Sequence, residues 1–465
     1  MSASEQQSPS TVKRLPLMAV LISGAFAAIL NQTLLATAIP PIMEDLEIEA
    51  DVAQWLQSVF MLVNGIMIPI TAFLIGKFTT RSLFFTAMGL FGFGTLVCGL
   101  APGFEILLVG RILQASGAGI IMPLMQTIIF LIYPLEKRGT AMGMFGLVIG
   151  FAPAIGPTLS GWFVESYPWR GLFFIIIPIV IIDLIVAYFI LRNVTERTNP
   201  KLDIPSIILS TFGFGGLLYG FSVAGSSGWL STPVLGSLAL GAVTLFLFIM
   251  RQQKLEQPIL EFKVFQDKIF ALTTGLGMVV FMSMIGGAVI LPILMQDMMG
   301  FSPLESGLML LPGALVMGSM SPVTGKLFDM FGARWLAIIG LSLVTITTYL
   351  FTMITVDTTF TYLATINVFR MLGVAMVMMP VTTAGLNQLS PKLVPHGTAM
   401  NNTMRQIAGA VGTALLVSIM THTANPSEGM QGMINGVNTA FLAAAVISLI
   451  GLLLSLTLRK PVSHD

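Results

Sequence analysis

Fourteen times along its 465 residues this chain runs for about twenty residues or more with hardly a charge. No other feature restricts the fold as much. The hydrocarbon core of a bilayer is about 30 Å thick and takes roughly 20 apolar residues to cross as a helix. The predicted spans are 17–39, 53–76, 82–101, 104–131, 138–162, 170–191, 204–223, 232–250, 267–296, 304–325, 335–355, 360–387, 398–420 and 437–458. The runs are continuous and lack the period-two alternation of a membrane barrel, so they read as helices. The first is too long for a signal-peptide core and no cleavage-like site follows it, so it is expected to remain. Composition agrees: 9% of the residues are charged and 55% hydrophobic, whereas a soluble domain carries about 25% charged residues. A net charge of +1 gives no hint of nucleic acid. The one cysteine, Cys98, excludes an internal disulfide and reads as a small buried hydrophobe.

An even number of spans puts both ends on one side. If that side is the cytoplasm, eighteen of the 22 basic residues fall in tails and inner loops, from Lys13 and Arg14 to Arg459 and Lys460. Arg111, Arg370 and Arg405 lie within spans, and only Arg170 lies outside. This bias predicts cytoplasmic N and C termini. The first outer loop holds Glu44, Asp45, Glu47, Glu49 and Asp51. It reads as a solvated acidic loop or, less simply, as a lure for cations.

The chain also repeats itself. Gly-Thr-Ala-Met starts at Gly139, at the inner end of span five, and again at Gly397, at the inner end of span thirteen. "IGKFTTR" follows span two and "TGKLFDMFGAR" follows span ten. Arg111 in span four and Arg370 in span twelve each precede a proline, Pro123 or Pro380. Spans one to six therefore match spans nine to fourteen in the same orientation, with spans seven and eight inserted. The expected architecture is an all-α integral membrane protein of 14 transmembrane helices arranged 6+2+6. Its parts are a tail at 1–16, a six-helix bundle at 17–192, two inserted helices with linkers at 193–266, a pseudo-symmetric second bundle at 267–458 and a tail at 459–465. A site between the bundles near mid-membrane is the usual outcome of such repeats.

With these motifs the chain resembles the major facilitator superfamily, and within it the fourteen-helix drug:proton antiporter branch that includes the lincomycin-resistance, QacA and EmrB proteins. "GKLFDMFGAR" is similar to the inner-loop motif, with Gly325, Asp329, Gly332 and Arg334 in place. "GKFTTR", with Gly76, Lys77 and Arg81, is a shortened copy in which Thr79 stands where the acid is usual. "RILQASGAG" resembles the fourth-helix motif through Arg111, Gln114, Gly117 and Gly119. "GFAPAIGPTLSGW" resembles the antiporter signature of helix five and is the most specific of the set. The resemblance implies a major facilitator fold and export of small amphipathic drugs by alternating access. It also implies that a proton gradient is the energy source.

The residues have their own chemistry. Gly150, Pro153, Gly156, Pro157 and Gly161 form a glycine–proline ladder that suits a hinging or sealing seam, or ordinary small-residue packing. Arg111 is costly in lipid unless it faces a partner or water, and Gln114, three residues on, shares its face. This pair reads either as a coupling element, as in the family, or as a structural arginine on backbone carbonyls. Asp183 is the deepest carboxylate within the spans, and Asp297 follows Gln296 at an outer end; both are candidates to carry the proton. Arg405, with Asn401, Asn402, Thr403 and Gln406, is expected at the cleft or against the opposite half. Asn31 stands where many relatives carry Asp, and a neutral amide suits uncharged or weakly basic cargo. Gln57, Phe60 and Asn64 share one helical face, as do Met122 and Gln126. These residues, with Asn31, Gln296 and Arg405, are expected to line the cleft.

Other classes fail. No Walker-type phosphate loop occurs, no metal-ligand spacing appears, and no soluble domain is large enough for an enzyme. No cofactor is expected beyond the proton gradient. The expected partners are drugs and membrane lipids, the expected state is a monomer, and the expected location is a bacterial plasma membrane. A dedicated exporter of a lipid or metabolite is the alternative, and a scaffold without transport a more distant one.

Overall fold

The computed structural model describes residues 14–195, 197, 198 and 200–458. Lys13, Arg459, Lys460 and most of the two expected tails lie outside the described residues. Among the described residues, fourteen helices are long and apolar enough to cross a bilayer. They are α1 (Arg14–Leu46), α2 (Ala50–Lys77), α3 (Thr80–Gly99), α4 (Phe104–Ile132), α5 (Arg138–Val164), α6 (Gly171–Ile190) and α7 (Ile204–Ser227). After these come α8 (Thr232–Lys254), α9 (Lys268–Ile293), α10 (Pro303–Phe331), α11 (Ala333–Leu350), α12 (Phe360–Leu386), α13 (Val394–Thr423) and α14 (Gly429–Ser455). The face at which α1 begins and α14 ends is called the terminal face below, and its opposite the distal face.

Several helices outrun the hydrocarbon that predicts them. α10 continues to Phe331 where the apolar run stops at 325, and α14 starts at Gly429 rather than 437. Lys326 and Asp329 end the apolar run, but charge does not end a helix. What ends α10 is Gly332, whose φ of 77° and ψ of −179° lie in a region open only to glycine. Starts are set by caps: Thr79 accepts from Ser82 N at 3.2 Å, and Ser302 and Glu305 form a reciprocal capping box. α9 ends in a wider π-type turn over Leu294–Met298, which holds Gln296 and Asp297.

α1–α6 pack among themselves, as do α9–α14, and the two groups meet through α5 against α10 and α12 and through α2 and α4 against α13. α7 lies across the second of these seams. Leu218 sits over Gly65 of α2, Tyr219 stacks on Trp55 at 5.8 Å, and Val417 of α13 lies against Gly225. Trp229, just after α7, donates to Ser418 of α13 at 2.7 Å. α8 packs on the back of α7, and Arg251 and Asp203 join their terminal ends through two hydrogen bonds of 2.7 Å.

The apolar core is distributed unevenly. One continuous core runs through α1–α6 into the terminal-side parts of the second group, including Phe270, Met317, Val377, Met379 and Met400. The distal end of the second group has a separate core around Leu291, Met295, Met309, Phe351 and Phe441. The two groups thus share their packing at the terminal face and keep separate cores at the distal face.

A polar clasp closes the distal end of the first group. Asp45, after the last turn that crosses the membrane in α1, accepts from Arg170 at 2.6 Å and from Trp169 Nε1 at 3.1 Å, while Arg170 also donates to Ala101 O at 3.0 and 3.1 Å. Arg170, the one basic residue expected on the outer side, is therefore neutralised. These hydrogen bonds hold the Asp45 carboxyl below the usual carboxylate range. A carboxyl whose pKa falls on folding contributes stability above its unfolded value near 3.9, lost as pH drops through the folded value. In a variant keeping only Trp169, indole emission should hold steady down to about pH 4 and shift below it. Arg170→Ala should move that midpoint upward; an identical midpoint in both proteins would show that the clasp does not bind the carboxylate.

Candidate functional site

The seam between the groups is written as two matching stripes of small residues. On α5 these are Gly139, Gly143, Gly146 and Gly150, spaced four, three and four, which is one helical face. On α10 they are Ala314, Gly318, Ser321 and Gly325, with the same spacing. The helices run antiparallel, and a side chain added at Gly139 would strike Gly325, at Gly143 and Gly146 Ser321, and at Gly150 Gly318. Close backbone approach of this kind is how small residues join helices in lipid, where burial of apolar surface gives no advantage.

Polar contacts lock the terminal end of the seam. Asp329, near the end of α10, accepts from Gly139 N at 2.7 Å, Thr140 N at 2.8 Å and Thr140 Oγ1 at 2.6 Å. A carboxylate at the start of α5 satisfies free N–H groups and sits at the positive end of the helix dipole, worth about 0.3–1 kcal/mol for the dipole term alone. Arg138 donates to Phe130 O at 2.7 Å and Tyr133 O at 3.2 Å, closing the last carbonyls of α4, and reaches Asn387 of the second group at 3.0 Å. Deeper in, Thr127 meets Thr398 at 3.0 Å and Asn402 donates to Gln126 at 2.8 Å. These inter-group bonds all lie in the terminal half of the helices. Toward the distal end the seam leaves an apolar fissure lined by Ala154, Ile155, Thr158, Leu159, Trp162 and Leu311.

This corrects the expected ladder. Gly150 does face the opposite group, but Gly156 packs on Thr33 of α1, inside its own group, and a side chain at Gly161 would meet nothing within 4 Å. Pro153 is exposed and Pro157 half-buried. The sealing glycines lie earlier in the helix than the signature. The two inner-loop motifs also diverge. Asp329 crosses to α5, whereas Thr79, in the acid's place, only caps α3. Gly76 O accepts from Thr198 N at 3.1 Å, and Arg81 binds Tyr188 O at 2.8 Å and Asn193 at 3.1 Å, all within the first group and its following loop. Lys77 is the last residue of α2. Arg334 is half-buried at the start of α11, with Nε lacking an acceptor. Of the repeated letters, Gly139 faces the other group while Gly397 packs on Leu386 and Leu389 of its own.

Arg111 is fully buried and caged. It donates to Asn31 Oδ1 and Gln114 Oε1, both at 2.9 Å, and to Leu56 O at 3.1 Å, and lies over the Phe60 ring at 4.3 Å. Gln114 in turn donates to Thr95 at 2.9 Å. The acceptors are all neutral, so the guanidinium ties α1, α2, α3 and α4 together without an ion pair. Asn31 is thus committed to Arg111 rather than free to meet cargo, and Phe60 is a shelf for the cation. Asn64 is buried beside Gly119, while Gln57 and Met122 are half-buried.

The other charged candidates separate. Asp183 is 3% exposed, accepts from Ser23 of α1 through Oδ1, and has no partner at Oδ2. Ser23 is eight residues from Asn31, about 12 Å along α1 at 1.5 Å per residue, so Asp183 does not touch the Arg111 cage. Asp297 is exposed at the distal end and Gln296 half-buried, which removes Asp297 from any buried proton path. Arg370 is buried on Ser283 of α9, whose backbone O and Oγ both accept from it. Arg405 is buried with its Nε and Nη1 lacking acceptors. The sequence reading missed Thr127, Arg138, Thr140 and Asn387; the four-three-four spacing of Gly139, Gly143, Gly146 and Gly150 was the available signal for the seam.

Two substitutions test this geometry. Gly143→Leu should hold the terminal end of the seam apart, read as faster labelling of a cysteine placed at Thr127. Gly156→Leu should instead lower the unfolding temperature by disrupting α1 against α5, with labelling at 127 unchanged. The reverse pattern would restore the signature glycine to the seam.

Comparison with known proteins agrees with the geometry. The family model described as Major Facilitator Superfamily matches residues 21–413. The chain is 54% identical to an uncharacterized MFS-type transporter, YcnB, of Bacillus subtilis, over 99% of this chain and 98% of that one. It is 41% identical to the lincomycin resistance protein LmrB of Listeria monocytogenes, over 97% of this chain and 98% of the relative. The solved structure of human MFSD10 superposes with a TM-score of 0.70 at 14% identity, covering 95% of this chain and 99% of that chain. A fourteen-helix, multi-pass protein of the plasma membrane, this chain belongs to the Major Facilitator Superfamily.

Proposed function

We propose that the chain is a secondary active exporter of amphipathic drugs that exchanges them for protons by alternating access. The observation that carries this reading is the uneven core: the two groups pack as one at the terminal face and apart at the distal face. An alternating-access protein needs such a one-sided closure, with a mirror state of similar free energy. With the terminal face cytoplasmic, the state here is closed to the cell and ready to release outward. Relatives named for lincomycin resistance and multidrug transport support drugs as the cargo class.

The proton is assigned to Asp183, the single buried carboxylate among the described residues. Its Oδ2 faces Gly24 of α1, at a spot that Phe84 and Met88 of α3 also approach, none of them titratable. Ser23 Oγ stands between two acceptors, the Asp183 carboxylate and Val20 O at 3.0 Å. With Asp183 ionised, the hydroxyl proton points to the carboxylate. With Asp183 protonated, the acid donates and the hydroxyl turns to Val20 O. Protonation thereby changes how α1 is joined to α6, and α1 in turn packs on the seam helix α5, where Thr33 donates to Ala152 O at 3.3 Å. Arg111 keeps the four surrounding helices moving as one body.

The test is reconstituted transport with an imposed pH gradient, across lincomycin and a panel of amphipathic dyes, lipids and metabolites. Asp183→Asn should lower gradient-driven transport at least about tenfold, equivalent to about 1.4 kcal/mol, while leaving downhill exchange of the same probe. Wild-type pumping by the variant would overturn the assignment of the proton. Transport indifferent to the gradient in the native protein would overturn antiport itself.

A further inference from the structure

The buried charges are out of balance, and the imbalance has a direction. Arg111, Arg370 and Arg405 are buried against one buried carboxylate, Asp183, among the described residues. Arg111 has three acceptors and Arg370 rests on Ser283. Arg370 leaves its Nε and Nη1 without acceptors but donates through Nη2 to Ser283, whereas Arg405, 5% exposed and with the same two nitrogens open, makes no hydrogen bond among the described residues. Its guanidinium lies 5.1 Å from the Phe281 ring centre, a contact that stabilises a cation without using its N–H groups.

Position along α13 says where those N–H groups face. Thr398, Asn402 and Arg405 follow one another at steps of four and three along one stripe of the helix, while Gly409, a turn further on, packs on Phe281 and Ile285 of α9 within its own group. The first two members reach across the interface, to Thr127 and Gln126. Arg405 is the next member, one turn toward the distal face, where the groups no longer share a core. On the facing helix α4, one turn on from Gln126 in the same direction, stands half-buried Met122. One turn back from Arg405 on α13, Asn401 Oδ1 is buried without a partner, and across the interface so is Gln126 Nε2. A planar five-donor fork on an aromatic ring, at an interface whose facing helix presents a thioether one turn on from Gln126, matches a carboxylate carried on an apolar body.

We infer that Arg405 is the group that binds the cargo's headgroup, and that the preferred cargo is amphipathic weak acids in their anionic form. This rests on the transport reading above and narrows its substrate class. It also reverses the expectation, drawn from the neutral amide of Asn31, that weakly basic cargo is favoured. Three interior guanidinium groups repel a permanent cation and attract an anion, and a buried charge without a partner is retained at a cost that a bound carboxylate offsets.

Binding to the purified protein in detergent, with no gradient, isolates the point. Fluorescein, with a free carboxylate, and rhodamine 123, a cationic methyl ester, share a xanthene skeleton of similar size, so their fluorescence anisotropy compares an anionic with a cationic probe. The wild type should bind fluorescein at least about tenfold more tightly, a difference of about 1.4 kcal/mol. Arg405→Gln should erase that preference, and Arg405→Lys should keep part of it by retaining the charge without the fork. Thermal unfolding shows whether each variant is folded, and if the glutamine variant is not, the wild-type preference and the lysine variant decide. Equal binding of the two dyes by the wild type, tighter rhodamine binding, or a preference untouched in Arg405→Gln would overturn the inference. A preference that is present while pumping ignores the gradient would preserve this inference and sink antiport, so the two failures are distinguishable.

Discussion

The contact on which the rest of the structure depends is the approach of α5 and α10 without intervening side chains. Backbone meets backbone from Gly139 opposite Gly325 to Gly150 opposite Gly318, and Asp329 fastens the end of the stripe through three hydrogen bonds. Packing this close collects many small dispersion contacts and is lost abruptly when the helices separate. The seam is therefore suited to two states, joined or parted, and poorly suited to anything between. Because Thr79 replaces the acid in the first inner-loop motif, the paired seam of α2 and α13 has no matching carboxylate clasp from that motif. The pseudo-symmetry of the sequence is broken in the lock itself.

Each buried arginine handles the same problem, a charge in a medium that does not solvate it, in a different way. Arg111 is surrounded by side-chain amides and a carbonyl that tie four helices, which makes the charge a brace. Arg370 draws on Ser283, and its guanidinium fills the space that Gly287 leaves open. Arg405 has an aromatic face and makes no hydrogen bond among the described residues, whereas Arg370, with the same two nitrogens open, keeps its Nη2 on Ser283. How far each guanidinium uses its N–H groups is something a sequence does not display.

What the letters carried and what they hid follow from range. Fourteen helices were legible because each needs only its own apolar run. The ends of α10 and α14 were not, because helices continue past the hydrocarbon until a cap or a glycine such as Gly332 stops them. Arg111 with Gln114 was legible as a local pair on one face. That Asn31 belongs to the same cage was not, since the contact joins residues eighty positions apart. The glycine–proline signature pointed to the correct helix but to the wrong glycines, because proline draws the eye to Gly156 while the seam uses the regular stripe that begins at Gly139. Asp297 was read as a proton candidate at the outer end of a cleft helix, and the π-type turn at the end of α9 leaves it exposed.

The inserted helix α7 gives the molecule a front and a back. It touches α2 through Tyr219 on Trp55 and α13 through Val417 and Trp229 on Ser418, so one flank of the interface is boarded over. The opposite flank, between α5 and α10, has no such cover and carries the apolar fissure beside exposed Trp162. Among the described residues, then, the two flanks of the interface meet different surroundings: one meets a protein helix and the other meets the acyl chains of the bilayer. Lipid composition is therefore felt at the α5–α10 seam and not at the α2–α13 seam, so the two halves of one interface answer to different solvents.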